Sequence, residues 1–213
     1  MVPTQHLPLF DLPPDLQRRW LAERLSRPAP AEARGLSDGF RLPGREGTAI
    51  PAAVLVPLVN RPQGLQLLLT QRSADLPDHP GQISFPGGRL DPGDRDHAAA
   101  ALRETAEEIG LAPTKVQVLG ELASYETVTG YQVLPIVGWI DPPFDLAPDP
   151  LEVADVFEVP LDFILDRANH QRHFRMLGEL RRDYWAIPWL TRYIWGATAA
   201  MLLIFERTLS APE

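Results

Sequence analysis

The clearest pattern in the chain lies at residues 86–110, which read PGGRLDPGDRDHAAAALRETAEEIG. The first part is dense in glycine, proline and aspartate, which predicts a loop. Asp96 is a favourable N-cap residue and Gly110 is the type of residue that ends a helix, so the sequence predicts a helix over residues 97–109. A glycine-rich loop therefore leads directly into a helix with defined ends.

Three glutamates lie close together in the last turns of this helix. Glu104 is three residues from Glu107 and four from Glu108, so all three carboxylates share one face. Like charges at these spacings destabilise a helix by roughly 0.2–0.5 kcal/mol per pair, and the helix dipole disfavours them further. The opposite face is apolar: Ala98, Ala101, Leu102, Thr105 and Ile109. We favour a site for a hard divalent cation, which would remove the repulsion, over an ordinary solvated acidic face.

Residues 88–111 resemble the Nudix box, whose core is arginine, glutamate, an apolar residue, any residue, two glutamates, any residue, glycine and an apolar residue. Here residues 103–111 read RETAEEIGL, with Thr105 in the usual aliphatic position. The resemblance implies an α/β (α+β) protein with the Nudix fold, in which a mixed β-sheet is sandwiched between helices. It also implies Mg²⁺ or Mn²⁺ as cofactor and hydrolysis of a nucleoside diphosphate linked to another group.

The region before this core departs from the general box, which has glycine, five residues, glutamate, seven residues and then the arginine. Gly88 lies one residue too far from Arg103, and Arg95 stands eight residues before Arg103, with Asp94 beside it. This altered spacing resembles the coenzyme A pyrophosphatase branch of Nudix hydrolases.

That branch has a further signature upstream, approximately LLTxRSxxxRxxxGxVxFPGG. The matching residues are Leu68, Leu69, Thr70, Arg72, Ser73, Gly81, Phe85, Pro86, Gly87 and Gly88. Ile83 replaces the valine, and Pro77 stands where the second basic residue belongs. The resemblance implies hydrolysis of coenzyme A or acyl-CoA to 4′-phosphopantetheine and adenosine 3′,5′-bisphosphate. Two alternatives stay open: a Nudix hydrolase for ADP-ribose or a dinucleotide, and a Nudix-fold binding module without turnover.

The resemblance also assigns roles to the catalytic residues. Glu104 and Glu108 are the expected core metal ligands, Glu107 is a further ligand, and Glu104 is the preferred candidate to orient or deprotonate the attacking water. Arg103 is expected to hold the glutamates in place. The carbonyl of Gly88 is an additional candidate ligand. Glu152 is either a metal ligand or base, or an ordinary exposed acid.

The candidate substrate contacts are Arg72, Ser73, His79, Gly87, Gly88 and Tyr131. A guanidinium such as that of Arg72 matches phosphate geometry, and glycines allow the backbone to approach a phosphate closely. The alternatives are a surface salt bridge for Arg72, a turn for Ser73 and a loop hydrogen bond for His79. Residues 125–131 are expected either to line the site or to form a glycine-centred turn.

Composition restricts the classes of function. The chain has 213 residues, a net charge of −8 and no cysteine. It shows no basic footprint for nucleic acid, and it has no disulfide or thiolate chemistry. Without a signal peptide pattern or a sufficiently long apolar stretch, we expect a soluble, cytoplasmic protein that does not bind a membrane. Its expected partner is a CoA-like nucleoside diphosphate small molecule, and we expect a monomer or homodimer.

Apolar periodicity and the turn-forming residues predict the remaining elements. Residues 1–45 are expected to be an N-terminal arm and helix, and residues 46–213 a Nudix hydrolase domain with a C-terminal helix. Predicted helical segments are 14–26, 161–167 and 191–208. Predicted strands are 52–59, 65–70, 83–85, 116–122, 133–140 and 156–159, with two short strands within 172–187.

Overall fold

The computed structural model describes residues 7–39, 41, 44, 47–178 and 180–212. The helices are α1 (Pro14–Ser26), α2 (His97–Ile109), α3 (Leu161–Leu165) and α4 (Ala197–Ser210). The strands are β1 (Ile50–Arg61), β2 (Gly64–Arg72), β3 (Ile83–Ser84), β4 (Gly87–Arg89), β5 (Val116–Glu121), β6 (Tyr125–Glu126), β7 (Tyr131–Ile140), β8 (Val153–Pro160), β9 (Gln171–Leu177), β10 (Leu180–Trp189) and β11 (Arg192–Trp195). Parts of the predicted arm lie outside the described residues: 1–6, 40, 42, 43 and 45.

Eight strands form one mixed sheet. Its main path runs β3-β2-β1-β7-β5, while β4 pairs with β1, β6 with β7 and β8 with β2. β1 and β7 are parallel along residues 50–59 of β1, whereas the other pairs are antiparallel. β1 and β2 form an antiparallel hairpin, in which Arg61 pairs with Gly64. β1 is therefore the strand that carries both β4 and β7.

Helices cover both faces of this sheet because its strands are apolar on both sides. In β2, Leu67 and Leu69 belong to the apolar cluster that includes residues of α1, α3 and α4. Leu68 belongs to the other cluster, which includes Ala101 and Ile109 of α2. The α+β class and the mixed sheet between helices are thus confirmed.

A second, antiparallel sheet of β9, β10 and β11 lies between α3 and α4 in the chain. The prediction of a helix from residue 191 is wrong at its start, because residues 192–195 form β11 and α4 begins only at Ala197. The Arg192–Trp195 segment pairs with Ala186–Trp189 of β10, and Gly196, with φ 65°, separates the strand from the helix. Pairing with a neighbouring strand, together with aromatic residues that favour strands, overrides the helical pattern.

The N-terminal helix α1 confirms the prediction for residues 14–26 and packs on the rest of the molecule. Leu21 and Leu25 are buried in the same apolar cluster as α4. Arg24 Nη1 donates a hydrogen bond of 2.6 Å to the carbonyl of Ala211. A Cβ at Gly120 of β5 would lie 2.7 Å from Leu25 Cβ, so this helix lies directly against the sheet edge.

No helix within the described parts of the chain is long and apolar enough to cross a membrane.

Candidate active site

Helix α2 is fixed in place by local interactions at both ends. Asp96 Oδ1 accepts a hydrogen bond of 2.8 Å from the backbone N–H of Ala99, as its N-cap role predicts. Gly110 adopts the left-handed conformation with φ 70°, and its N–H bonds to the carbonyl of Ala106. Ala101 and Ile109 are fully buried against the sheet. These contacts set the rotation of the helix and hence the direction of its glutamates.

Glu108 is the most buried of the three glutamates. Only 6% of it is exposed, and Oε2 accepts a hydrogen bond of 3.3 Å from the N–H of Gly87. Burial raises the pKa of Glu108 to about 8, with the nearby carboxylates of Glu152 and Glu104 adding to the rise and Arg72 opposing it. Without a cation, the chain therefore holds this carboxyl partly protonated near neutral pH.

Glu104 lies against the glycine pair. Burial raises the pKa of its carboxyl, although Arg103 opposes the rise by donating from Nη1 at 2.9 Å. A Cβ at Gly88 would lie 2.5 Å from Glu104 Cδ, so no larger residue fits there without moving the carboxylate. Gly87 and Gly88 thus bring the backbone close to the buried Glu108 and the half-buried Glu104.

Glu107 lies at the outer edge of this group. Its side chain is 60% exposed, and Oε2 accepts a hydrogen bond of 3.0 Å from Arg103 Nη1. Arg103 therefore joins Glu104 and Glu107 through one nitrogen, in keeping with the positioning role that the sequence predicted for it.

Asp94 holds Arg103 from the other side, a role that the sequence interpretation missed. Arg103 Nε donates to Asp94 Oδ1 at 3.1 Å and Nη2 to Asp94 Oδ2 at 2.9 Å. These bonds lower the pKa of Asp94 and raise that of Arg103. Counting forward from Gly88 would have found Asp94, because it lies six residues on, as the glutamate does in the general box. The extra residue therefore lies between Asp94 and Arg103.

Arg72 and Glu152 lie on the Glu108 side of the site. Arg72 ends β2, where the pairing register with β8 shifts, and its Nε is buried without a hydrogen-bond partner among the described residues. Glu152 lies just before β8, and its carbonyl accepts a hydrogen bond of 2.8 Å from the N–H of Ser73. Arg72 and Glu152 both act electrostatically on Glu108, with opposite effects on its pKa.

Ser73 and His79 shape the loop between β2 and β3. Ser73 Oγ accepts from the N–H of Asp75 at 3.3 Å, and His79 Nδ1 lies 3.1 Å from Gln82 Oε1. His79 has a φ of 57°, an uncommon conformation for a residue that is not glycine. Both side chains thus make contacts within the loop. These contacts match the alternatives to substrate binding given above, which were a turn for Ser73 and a loop hydrogen bond for His79.

Tyr131 begins β7 on the other side of the glycine pair. Its hydroxyl accepts a hydrogen bond of 2.9 Å from Nε of Arg89 and a second one from Nη2. Arg89 was not among the sequence-predicted contacts, because its partner is distant in the chain. The structure thus brings the glutamates, the glycines, Arg103, Arg72 and Glu152 together, and it gives Tyr131 an arginine as its neighbour.

The donor atoms of this group suit a hard divalent cation, since the candidates are carboxylate and carbonyl oxygens. Within the described residues, however, no three acidic or histidine side chains converge on one point. A cation there would be held by two of the glutamates, with carbonyl, water or substrate oxygens completing its shell. This is the usual way in which Mg²⁺ binds to phosphate-handling enzymes.

A cavity of about 820 Å³ lies elsewhere, beside the end of α4, and is lined by residues such as Arg167, His170 and Glu206. The buried Glu206 is already paired there, accepting from Arg167 Nε at 2.8 Å. None of the candidate site residues lines this cavity.

Comparison with known proteins identifies the family. The model of the NUDIX domain matches residues 49–178. A relative from Escherichia coli O7:K1, described as the uncharacterized Nudix hydrolase NudL, is 44% identical over 155 residues, which cover 71% of this chain and 78% of the relative. The protein of the same description from Photorhabdus laumondii is 44% identical over 153 residues, covering 71% of this chain and 80% of that one.

Solved structures give partial matches. A Caenorhabditis elegans Ap4A hydrolase binary complex is 25% identical, covers 52% of this chain and 80% of its own, and has a TM-score of 0.46. A MutT/nudix family protein from Enterococcus faecalis is 16% identical, covers 79% of this chain and 63% of its own, and has a TM-score of 0.46. The family match spans more than half of the chain and agrees with the identity to the two relatives; the chain therefore has the Nudix fold and belongs to the Nudix hydrolase family.

Proposed function

We propose that this Nudix hydrolase cleaves the diphosphate bond of coenzyme A or acyl-CoA, with Mg²⁺ or Mn²⁺ as cofactor. The products are 4′-phosphopantetheine, acylated when the substrate is acyl-CoA, and adenosine 3′,5′-bisphosphate. The match of residues 68–88 to the coenzyme A pyrophosphatase signature supports the substrate. The observation that carries the chemistry is the buried Glu108 carboxylate, which accepts a hydrogen bond from Gly87 and interacts electrostatically with Arg72, Glu104 and Glu152.

In this proposal Glu104, Glu108 and the carbonyl of Gly88 would hold one cation, and Glu107 and Glu152 would be ligands of a further cation. When bound, a divalent cation supplies positive charge to the diphosphate oxygens and lowers the pKa of the attacking water. The raised pKa values of Glu104 and Glu108 support this assignment, because a half-buried and a buried carboxylate side by side favour a cation over bare ionisation.

The chain's own residues position the reactants. Glu104 accepts a proton from the attacking water while the water oxygen bonds to one phosphorus. The bond from that phosphorus to the bridging oxygen breaks, and its electron pair leaves with the other phosphate. Arg103 keeps Glu104 oriented through their 2.9 Å hydrogen bond. The buried Nε of Arg72 has no hydrogen-bond partner among the described residues, and we propose that the guanidinium of Arg72 contacts a phosphoryl oxygen.

The remaining candidate contacts surround this centre. The N–H of Gly87 already reaches the Glu108 carboxylate, so the glycine backbone is close enough to approach a phosphate. Ser73 and His79 belong to the loop that follows Arg72, and Tyr131 lies beyond Arg89. We propose that they border the bound substrate.

A substrate panel with identification of the products tests the proposal. Coenzyme A, dephospho-coenzyme A, ADP-ribose and a diadenosine polyphosphate are each incubated with Mg²⁺ or Mn²⁺, with EDTA as the control. We expect the highest kcat/KM on coenzyme A or acyl-CoA, and mass spectrometry should find adenosine 3′,5′-bisphosphate. Metal-independent cleavage would contradict the mechanism, and absence of cleavage of every substrate would favour a binding module.

Another nucleoside diphosphate derivative is the second candidate substrate, and Pro77 favours it. The loop at residues 73–82 contains no lysine or arginine, so one anion contact that the signature provides is missing from it. A higher kcat/KM for ADP-ribose or the dinucleotide than for coenzyme A would select this candidate.

A further inference from the structure

Arg89 lies on the opposite side of β4 from the buried glutamates. It pairs with Ala52 of β1, which in turn pairs with Val133 of β7, so the three residues form one row across the sheet. Side chains alternate along a strand, and a Cβ at the neighbouring Gly88 would point at Glu104. The Arg89 side chain therefore extends from the other face, while its carbonyl accepts a hydrogen bond of 3.2 Å from Arg103 Nη2.

Tyr131 holds the Arg89 guanidinium in one orientation. Its hydroxyl accepts from two nitrogens of the guanidinium, whose carbon lies 5.3 Å from the centre of the ring. Tyr131 is itself fixed by Thr127, whose Oγ1 accepts from the N–H of Tyr131 at 3.0 Å. The N–H of Thr127 also donates to the carbonyl of Tyr131 at 2.9 Å. The guanidinium is thus oriented before any ligand binds.

The charge of Arg89 is not neutralised by an acid within the described residues. Its hydrogen-bond partner is a tyrosine hydroxyl, whereas the nearby Arg95 and Arg103 have Asp96 and Asp94 as ion-pair partners. Arg89 is also exposed, so a ligand can reach it. In a chain with a net charge of −8, an oriented and unpaired guanidinium beside the site is well suited to an anionic ligand group.

We infer that Arg89 binds a phosphate monoester of the substrate that lies outside the cleaved diphosphate. The inference rests on the proposed function, in which the diphosphate occupies the side of β4 that holds Glu104 and Glu108. Arg72 acts on that same side, through its effect on Glu108. Arg89 faces away from it, so it serves a second anionic group, such as the 3′-phosphate that distinguishes coenzyme A from dephospho-coenzyme A. Arg89 is thereby a specificity-determining residue.

Kinetics of Arg89→Gln on this pair of substrates test the inference. We expect KM for coenzyme A to rise about 10- to 100-fold, as loss of a charge-assisted hydrogen bond implies. KM for dephospho-coenzyme A should change by less than about twofold, and kcat should change little, since the cleaved bond lies elsewhere. The matched control is Arg95→Gln, which removes an equal charge from an 83% exposed arginine in the loop that follows β4 and should leave the KM for both substrates unaffected.

Tyr131→Phe separates orientation from charge. It keeps the ring under the guanidinium and removes the hydroxyl that orients it, so KM for coenzyme A should rise by a smaller factor than in Arg89→Gln. Equal losses on both substrates in Arg89→Gln would overturn the inference, and so would unchanged KM values in that variant. A thermal melt of each variant shows whether a loss reflects unfolding instead.

A binding measurement distinguishes failure of this inference from failure of the proposed function. If the wild type cleaves neither substrate, the proposed function fails, and calorimetry with adenosine 3′,5′-bisphosphate and adenosine 5′-monophosphate still tests Arg89. Tighter binding of the bisphosphate that is lost in Arg89→Gln supports the inference. Equal affinity of the wild type for the two nucleotides overturns it.

Discussion

The buried carboxyl of Glu108 makes the stability of the metal-free protein depend on pH. Its pKa of about 8 in the folded chain lies above the ordinary value of 4.5. The folded state therefore binds the proton more tightly than the unfolded state, and the resulting stabilisation is complete below pH 4.5. It is lost as the pH rises through about 8. A bound cation would take over the role of that proton.

Glu108→Gln removes both the charge of a proposed metal ligand and this pH dependence. We expect turnover to fall more than about 100-fold, since even residues that only support metal ligands contribute about 10–100-fold. In EDTA, the wild type should lose about 5 °C or more in Tm between pH 5 and pH 8.5, whereas the variant should lose less. Thermal melts and steady-state kinetics measure both effects. Wild-type turnover in the variant would defeat the assignment of Glu108.

We expect Asp94 to act on the reaction through its hydrogen bonds to Arg103, so its substitution tests positioning. Asp94→Asn keeps the size of the side chain but loses the charge that faces two nitrogens of Arg103. We expect kcat to fall about 10- to 100-fold with little change in KM. Asp91→Asn is the control, because Asp91 is 66% exposed and lies 3.7 Å from Arg103. Equal effects of the two variants would contradict the special role of Asp94.

The contact between β4 and α2 determines whether the glycine pair and the glutamates can meet. Alanine at Gly88 would bring a Cβ to 2.5 Å from Glu104 Cδ, whereas alanine at Gly93 would meet nothing within 4 Å. We therefore expect Gly88→Ala to lower kcat/KM by about 100-fold or more, because misplacement of about 1 Å has that effect. Gly93→Ala should retain full activity. Steady-state kinetics and a thermal melt of both variants provide the measurement.

The sequence predicted α2 at its observed bounds because its end signals are local: Asp96 caps one end and Gly110 ends the other. The prediction of the C-terminal helix failed at residues 191–196 because strand β11 forms through its pairing with β10, which the local sequence does not reveal. The same distinction applies to the site. The glutamates follow from spacing along one helix, whereas the partnership of Arg89 with Tyr131 joins residues that are distant in sequence.

Asp38 connects three distant parts of the molecule. Oδ1 accepts hydrogen bonds from Tyr125 Oη at 3.0 Å and Arg182 Nη2 at 2.8 Å, and Oδ2 accepts one from the N–H of Val128 at 2.8 Å. Burial and the adjacent Asp38 raise the pKa of Tyr125, so its hydroxyl remains a donor. The N-terminal segment, the turn before β7 and the second sheet are thus joined at one carboxylate.

Asp38→Ala should therefore destabilise the whole chain. The Asp38 side chain is 7% exposed and the side chain of its partner Arg182 is 15% exposed. Breaking a buried ion pair costs about 3 kcal/mol or more. In a domain of this size, we expect Tm to fall by about 6–12 °C. Asp145→Ala, at an exposed residue of the loop after β7, should change Tm very little. Differential scanning calorimetry of both variants checks the expectation.

The central position of β1 has a consequence for the selection of substrates. β4, with the glycine pair, lies on one side of β1, and β7, with Tyr131, lies on the other. Neighbouring strands are spaced at about 4.8 Å by their backbone hydrogen bonds, and this spacing hardly yields. In the proposed complex, this spacing holds Tyr131, and with it the Arg89 guanidinium, at a constant distance from the glycine pair, so the enzyme would select a ligand by the distance between its two anionic groups.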